Sequence, residues 1–244
     1  MNLCIDIGNT RTKIGIFLPH NVPEVFSFER GSTRKLSGVV PLENIKKCII
    51  SSTIHIEKSL MEELRSVPQL LILDENTVLP FKNRYETPYT LGKDRLALVA
   101  AAVSLYPGQN VLVIGCGTCI TFNFKNVAEE FIGGSIHPGL KMRLQAMHTF
   151  TGKLPLVPLQ RPTGWISNST EASLLTGAVM GAASEIDGMI AEYAKNYKDL
   201  TVLLTGGDSE LLVSMLKNKI FALPDLTLVG LNKILESNVQ TDFA

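Results

Sequence analysis

NLCIDIGNTRTKIGIF, residues 2–17, is the stretch of sequence that decides the fold. Its first apolar run ends beside a single carboxylate, Asp6, and the turn residues 8–10 separate it from a second apolar run. Two short apolar runs joined by a turn that contains glycine and asparagine are typical of a β-hairpin. The sequence therefore opens with a predicted hairpin whose tip is polar.

The predicted tip carries groups that suit a phosphate chain. Successive backbone N–H groups of such a turn can donate to phosphate oxygens, and Arg11 and Lys13 add positive charge. Asp6 can hold a hydrated Mg²⁺ ion. We interpret the tip as a nucleoside-triphosphate site. The alternative for this stretch alone is an ordinary hairpin in which Asp6 only accepts hydrogen bonds from turn amides.

A second copy of the pattern lies near the middle of the chain. VIGCGTCIT, residues 113–121, aligns with CIDIGNTRT, residues 4–12. The alignment matches Ile5 with Ile114, Gly8 with Gly117 and Thr12 with Thr121. Internal repetition of this kind indicates a duplicated domain.

Length and composition support two globular domains. The 244 residues suit domains of about 110 to 130 residues each, and we place them at 1–108 and 109–244. Hydrophobic residues make up 45% and charged residues 19%, which argues against extensive disorder. Lys plus Arg and Asp plus Glu balance at 23 each, so no charge excess favours nucleic acid or an anionic membrane.

The sequence also bears on location and metal chemistry. No apolar run approaches the roughly 20 residues of a membrane span and no signal-peptide pattern is visible, so we expect a cytoplasmic protein. Cys116 and Cys119 spell C-x-x-C without a second pair, and the four histidines are scattered. Zinc or thiol-redox chemistry is therefore not expected, and the cysteines should be small buried hydrophobes.

The first half reads as three antiparallel strands followed by a βαβ unit. After the hairpin, we predict strands at 24–28, 47–51 and 70–73, with a helix at 56–67. The second half repeats the plan, with strands at 110–114, 120–124, 130–136 and 201–205. Helices are predicted near 139–147, at 172–195 and from 209, followed by a short strand at 226–229 and a terminal helix.

Two further segments have the composition of ligand sites. Asp94 and Arg95 open a predicted helix at 96–106, where the helix dipole favours an ionised carboxylate and an arginine offers a bidentate anion fork. A capping aspartate and a surface arginine are the alternative. Gly206 and Gly207 lie between a strand and a helix, where a nucleotide can approach the backbone closely.

The paired hairpins resemble those of the acetate kinase, sugar kinase, Hsp70 and actin superfamily, and the whole chain resembles the type III pantothenate kinases. The matching segments are DIGNT at 6–10, GKDR at 92–95, GT at 117–118 with Thr121, GGSIHPGL at 133–140, Thr151 with LP at 154–155, STEA at 169–172 and TGG at 205–207. The order and spacing of these segments are specific, although each alone is weak. The resemblance implies an α/β protein with two duplicated ribonuclease H-like domains and a nucleotide cleft between them.

The resemblance also implies an activity and its residues. The activity is phosphorylation of pantothenate by Mg²⁺-ATP, the first step of coenzyme A synthesis, with Asp94 as the base. The implied ATP-binding residues are Asp6, Ile7, Gly8, Asn9, Thr10, Arg11, Thr12, Lys13 and Thr118. The implied pantothenate contacts are Tyr85, Gly92, Lys93, Asp94, Arg95 and Thr170.

The family pattern further implies a homodimer and a monovalent cation, K⁺ or NH₄⁺, near the second hairpin. This sequence departs from that pattern, because Gly115 and Asn123 stand where carboxylates are usual. A catalytically weak nucleotide-binding or regulatory protein of the same fold is the main alternative function. A different kinase of the superfamily is a third.

Overall fold

The computed structural model describes residues 1–18, 23–29 and 35–238. The strands are β1 (Asn2–Ile7), β2 (Arg11–Phe17), β3 (Glu24–Glu29), β4 (Lys47–Ser52), β5 (Gln69–Ile72), β6 (Lys82–Asn83), β7 (Val111–Cys116), β8 (Cys119–Lys125), β9 (Glu130–Pro138), β10 (Thr201–Thr205) and β11 (Phe221–Ala222). The α-helices are α1 (Lys58–Glu63), α2 (Lys93–Leu105), α3 (Leu140–Thr149), α4 (Thr170–Asn196), α5 (Ser209–Val213) and α6 (Leu226–Ser237).

The chain forms two compact units. The first contains Met1–Pro107, Glu129–Phe131 and Asp225–Ala244, and the second contains Gly108–Ala128 and Ile132–Pro224. The chain passes from the first unit to the second near residue 108, and α6 belongs to the first unit.

The sheet of the first unit has the order β3-β2-β1-β4-β5. β1 pairs antiparallel with β2 and parallel with β4, and β5 continues the parallel half. This is the predicted arrangement of three antiparallel strands and a βαβ unit. The connecting helix is shorter than the predicted 56–67, because α1 ends at Glu63 and passes into a 3-10 turn at Leu64–Ser66.

Alternation along β1 divides the apolar residues of the first unit between the two faces of its sheet. Leu3 and Ile5 join a core with Leu64, beside α1. Cys4 joins a core with residues of both α2 and α6 on the other face. Gly230 lets α6 lie directly against the backbone of α2 at Ala97, where a Cβ atom would collide with the carbonyl group.

The predicted strand at 226–229 is wrong, because these residues begin α6. The buried side chains of α6 recur at helical spacing, at Leu228, Leu231 and Ile234 among others. A window of four residues is too short to separate a strand from the first turn of an apolar helix.

The sheet of the second unit repeats the first. Five of its six strands, in the order β11-β10-β7-β8-β9, correspond to β5-β4-β1-β2-β3, with β7 antiparallel to β8 and parallel to β10. Lys82 and Asn83 of β6 pair with Glu130 and Phe131 at the start of β9. The duplicated ribonuclease H-like plan is therefore present in the backbone.

The longest helix, α4, supplies much of the second core. Val179, Ile186 and Ile190 are buried against the sheet with Phe122 and Leu204. In the described part of the chain, α4 is also the one helix that is long and apolar enough to cross a membrane. The sequence did not predict such a helix, because α4 is not one continuous apolar run. Its buried face is that of a core helix, so its composition is weak support for a membrane span.

Candidate functional site

A row of polar side chains crosses the first sheet near the carboxyl ends of β1 and β4. Ser51 lies opposite Asp6 in the parallel pair, and Lys13 lies opposite Asp6 in the antiparallel pair. Residues opposite each other in neighbouring strands project from the same face of a sheet. The three side chains therefore share the face on which α2 and α6 pack.

The first turns of two helices add carboxylates to this row. Asp94 lies in the first turn of α2, and Asp225 is the N-cap residue of α6. The ammonium group of Lys13 lies 2.7 Å from Asp225 Oδ1. Asp94 is close enough for its charge to act on Asp6. We call Asp6, Lys13, Ser51, Asp94 and Asp225 the acidic cluster.

Burial raises the pKa of Asp6 to about 6, from 3.8. The Ser51 hydroxyl lowers that pKa, the charge of Asp94 raises it and Lys13 lowers it, in decreasing order of effect. Ser51 Oγ has no hydrogen-bond partner of good geometry among the described residues. The hydroxyl therefore acts on Asp6 as a close polar neighbour and not as a formed hydrogen bond.

Gly92 controls where the Asp94 side chain lies. Gly92 is the N-cap residue of α2, and its carbonyl accepts from the backbone N–H of Arg95 at 3.1 Å. A Cβ atom at residue 92 would lie 2.5 Å from Asp94 Oδ1. The carboxylate thus occupies the space that the missing side chain leaves, and the capping role considered for Asp94 falls to Gly92.

Arg95 is only 3% exposed, so it is not the surface arginine of the alternative prediction. Its guanidinium lies over two rings, 5.4 Å from the centroid of Tyr85 and 5.6 Å from that of Phe131. Those rings are stacked on each other with centroids 6.0 Å apart. The structure therefore brings together Tyr85 and Arg95, two of the predicted pantothenate contacts.

The two hairpin tips have similar but unequal turns. The N–H of Gly8 donates to the carbonyl of Arg11 at 3.0 Å, and that of Gly117 donates to the carbonyl of Cys119 at 3.0 Å. Ile7 pairs with Thr12, whereas Cys116 pairs with Ile120, so the second turn is one residue shorter. The match of Gly8 with Gly117 agrees with the structure. The match of Thr12 with Thr121 is wrong, because Thr121 takes the place of Lys13.

The first tip is accessible. Asn9, Thr10 and Arg11 are exposed, while Thr12 and Lys13 are half-buried. Gly8 leaves little room, since a Cβ atom there would lie 3.2 Å from the Arg11 carbonyl oxygen. The predicted phosphate-binding stretch therefore presents its turn to solvent, while Asp6 lies among the acidic cluster.

Two glycines pack on the second tip. The N–H of Gly139 donates to the carbonyl of Thr118 at 3.1 Å, and a Cβ atom at residue 139 would collide with that carbonyl. Gly206 has a φ angle of 105° and touches the backbone of Cys116 in the same way. Three backbone segments therefore approach one another closely here, while Gly117 and Thr118 remain exposed.

Sequence reasoning missed two charged residues beside the second tip. The N–H of Asp208 donates to the carbonyl of Cys116 at 3.1 Å. Burial raises the pKa of the Asp208 carboxyl, and nearby Lys141 opposes that effect. The glycine pair before Asp208 pointed to this turn, but no local pattern connected Lys141 with it.

The position equivalent to Asp6 in the second sheet is Gly115. Its neighbours across the strands are Thr205 and Thr121, both nearly buried. Asn123, fully buried, donates to the carbonyl of Val113 and to the Thr121 hydroxyl at 3.3 and 3.2 Å. The second sheet therefore offers hydroxyl and backbone oxygens at the position where the first sheet offers the carboxylate of Asp6.

Thr170, the remaining predicted substrate contact, begins α4. Ser169 caps this helix by accepting from the N–H of Ala172 at 3.3 Å. Thr170 lines a cavity of about 610 Å³, whose other lining residues are Met147, Leu154, Ser167, Asn168, Ser169, Ser173 and Leu174. The cavity thus combines hydroxyl and amide groups with an apolar side.

The donor set of the acidic cluster fits Mg²⁺ bound together with a nucleotide. In residues 1–18, 23–29 and 35–238, no group of three or more His, Cys, Asp or Glu side chains could hold a metal alone. Mg²⁺ in phosphoryl-transfer sites usually takes one or two carboxylates, with phosphate and water completing the shell. Asp6, with the unpartnered Ser51 hydroxyl beside it, suits that mode.

Similar solved structures show the fold. The chain is 12% identical to a ROK family glucokinase from Streptomyces griseus, with a TM-score of 0.51, covering 97% of this chain and 99% of that one. It is 21% identical to a Campylobacter jejuni protein described as a Baf family transcriptional activator, with a TM-score of 0.57, covering 97% and 98%. At these identities the likeness shows the fold alone, which is that of the sugar kinases.

Comparison of sequences is more specific. The family model for type III pantothenate kinase matches residues 2–192. A type III pantothenate kinase from Christiangramia forsetii is 46% identical over 242 residues, covering 98% of this chain and 99% of the relative. The chain therefore belongs to the type III pantothenate kinase family, as its motifs predict.

Proposed function

We propose that this protein transfers the γ-phosphoryl group of ATP to pantothenate, giving 4′-phosphopantothenate for coenzyme A synthesis. Membership of the family supplies the reaction. The observation that carries the assignment of residues is the placement of Asp94 beside Asp6 in the acidic cluster. In this arrangement Asp6 can bind the metal while Asp94 accepts the proton of the alcohol.

Asp94 acts as the general base in this proposal. A primary alcohol must lose its proton as it attacks phosphorus, and an ionised aspartate within hydrogen-bond reach can accept that proton. The first turn of α2 favours the ionised form, because the backbone N–H groups at a helix N-terminus stabilise negative charge. Gly92 leaves the carboxylate room to turn toward the substrate hydroxyl.

The first hairpin binds the phosphates. We assign the turn amides and side chains of residues 6–13 to the phosphate chain, with Asp6 holding Mg²⁺. Bound Mg²⁺ would neutralise the charge that develops on the phosphoryl oxygens. Lys13 supplies positive charge at the same face of the sheet. Thr118, exposed in the second tip, is the proposed nucleotide contact of the second hairpin.

Pantothenate is assigned to Tyr85, residues 92–95 and Thr170. The buried guanidinium of Arg95 lies over the rings of Tyr85 and Phe131, and such an arginine offers directed donors for a carboxylate. Tyr85 gives an apolar wall beside it. The hydroxyl-rich cavity at Thr170 would suit the polar groups of the same substrate.

A homodimer is part of the proposal. Gly177, Gly181, Ser184 and Gly188 recur at helical spacing along an exposed face of α4. A Cβ atom added at any of the three glycines would meet nothing within 4 Å. Glycine inside a helix costs roughly 1 kcal/mol relative to alanine, so a glycine-rich exposed face suggests close approach of a second helix. Cytoplasmic location and a weakly held monovalent cation remain predictions.

The decisive experiment incubates the purified protein with Mg²⁺-ATP and pantothenate and analyses the products by mass. We expect 4′-phosphopantothenate and ADP in equal amounts. A preparation carrying Asp94→Asn controls for contaminating kinases. If the native protein binds Mg²⁺-ATP but yields no phosphopantothenate, the nucleotide-binding regulatory alternative replaces the kinase.

A further inference from the structure

The hydroxyl of Ser51 lacks a partner at a place where partners matter. Ser51 is fully buried, and Oγ makes no hydrogen bond within the described residues. Buried hydroxyls nearly always have a partner, because removing one from water without compensation costs free energy. An exception in the middle of a sheet therefore requires a reason.

The neighbouring residue shows that the strand itself does not impose this state. Ser52 has the same side chain and is also buried. Its hydroxyl donates to the carbonyl of Ile54 at 2.6 Å and accepts from the N–H of Ile54 at 3.2 Å. Successive side chains in a strand point to opposite faces, so only Ser51 is directed to the face of the acidic cluster.

The position of Ser51 gives it one natural acceptor. It lies opposite Asp6 in the parallel pairing of β1 and β4. The carboxylate accepts hydrogen bonds only, whereas a serine hydroxyl can donate one. The register of the two strands therefore places the hydroxyl beside the Asp6 carboxylate.

We propose that Ser51 is a positioning residue for the Mg²⁺-ATP site: its hydroxyl donates to one oxygen of Asp6 and thereby directs the other toward the metal. The inference rests on the proposed function, since it assigns Asp6 to the metal. Residues that form hydrogen bonds to a metal ligand fix the orientation of that ligand, and their loss typically weakens metal affinity about 10- to 100-fold.

A purely structural role for Ser51 makes a different prediction. Alanine is nearly the same size as serine, and removing an unpartnered hydroxyl should leave the fold unchanged or more stable. In that case Ser51→Ala would bind Mg²⁺-ATP like the native protein. The two roles are therefore separated by binding and not by stability.

The test uses the full-length chain with Ser51→Ala, Ser51→Thr and Ser52→Ala, the last as the matched control at the adjacent hydroxyl. Calorimetry would give the dissociation constant of ATP with Mg²⁺ and with EDTA, and thermal unfolding would report folding. We expect Ser51→Ala to weaken Mg²⁺-ATP binding about 10-fold or more, with binding of metal-free ATP unchanged. Ser51→Thr, which keeps the hydroxyl, and Ser52→Ala should stay within about twofold of native.

A second set of variants tests whether Ser51→Ala acts through Asp6 or only through a change in packing. Asp6→Asn and the double variant Asp6→Asn/Ser51→Ala should bind Mg²⁺-ATP equally, because Ser51 acts through Asp6. A further loss in the double variant would overturn the inference, as would native-like Mg²⁺-ATP binding by Ser51→Ala. If the native protein binds Mg²⁺-ATP but does not phosphorylate pantothenate, the proposed function fails while Ser51 is still judged by binding. Absence of Mg²⁺-ATP binding by the native protein would overturn both.

Discussion

The ammonium group of Lys13 lies 2.7 Å from Asp225 Oδ1, although the two residues are 212 positions apart in the sequence. The pair joins the first hairpin to the N-cap of α6, where Asp225 has a φ angle of 58°. Both side chains are partly exposed, at 29% and 27%, so the pair contributes at most about 1 kcal/mol. In the proposed site, Asp225 would therefore orient Lys13 without holding it too firmly to contact a phosphate.

The first prediction concerns the base. Asp94→Asn should fold normally and bind Mg²⁺-ATP, but its turnover of pantothenate should fall about 10²- to 10⁴-fold, because the amide cannot accept the proton. Single-turnover rates with saturating substrates measure the chemical step directly. Turnover close to native would remove Asp94 from the role of base.

The second prediction concerns Gly92. An alanine there has an accessible backbone conformation, with φ near −58°, but its Cβ atom would displace the Asp94 carboxylate. We expect Gly92→Ala to unfold at nearly the native temperature and to lose about 10-fold or more in kcat, since catalytic groups tolerate little displacement. Gly38→Ala, where a Cβ atom meets nothing within 4 Å, is the control and should be active. Equal kcat in both variants would contradict the geometry.

The third prediction follows from the raised pKa of Asp6, about 6 in the folded protein against 3.8. The folded state binds this proton more tightly, so the associated stability is fully present below pH 4 and is lost as pH rises through about 6. Asp6→Asn should therefore be more stable than native at pH 8, by about 1–3 kcal/mol, and not at pH 4. Urea unfolding at the two pH values measures this. An equal difference at both would mean that the Asp6 charge is not responsible.

The fourth prediction concerns the monovalent cation. At about 4 Å in a partly desolvated site, a carboxylate attracts K⁺ by on the order of 4 kcal/mol before desolvation. Gly115, between Thr205 and Thr121, offers no such charge. The native protein should respond weakly to KCl at constant ionic strength, with tetramethylammonium as the replacement salt, and Gly115→Asp should respond at lower concentrations. Two results together would show that residue 115 does not determine the affinity for the cation. These are strong, saturable activation of the native protein at low KCl, and a KCl concentration for half-activation that is no lower in Gly115→Asp.

The fifth prediction tests the proposed dimer. Gly181→Leu places a large side chain on the exposed glycine-rich face of α4 and should convert the dimer to a monomer, measured by light scattering after gel filtration. Ala194→Leu, at an exposed position on another side of the same helix, should leave the dimer intact. A dimer that persists in Gly181→Leu would place the subunit contact elsewhere.

Local patterns were sufficient for much of the fold and for part of the site. Two apolar runs joined by a glycine-containing turn predicted the hairpin with Asp6 near its tip, and the apolar spacing after residue 95 put Asp94 in the first turn of a helix. Relations between distant elements, such as the ion pair of Lys13 with Asp225 and the effect of the Lys141 charge on Asp208, leave no local trace in the sequence. The mismatch of Thr12 with Thr121 has a similar cause, because turn length appears only when strands are paired.

The return of α6 to the first unit has a consequence for how the protein is made. Leu228, Leu231 and Ile234 complete an apolar core with Cys4 and with residues of α2. The other described elements of the first unit are translated before these side chains, so the part of the sheet face that α6 covers is completed only after α6 has been made. The second unit, whose described elements lie between residues 108 and 224, can condense earlier. Most of the first unit thus precedes the second unit in the sequence, while the helix that completes its core follows the second unit.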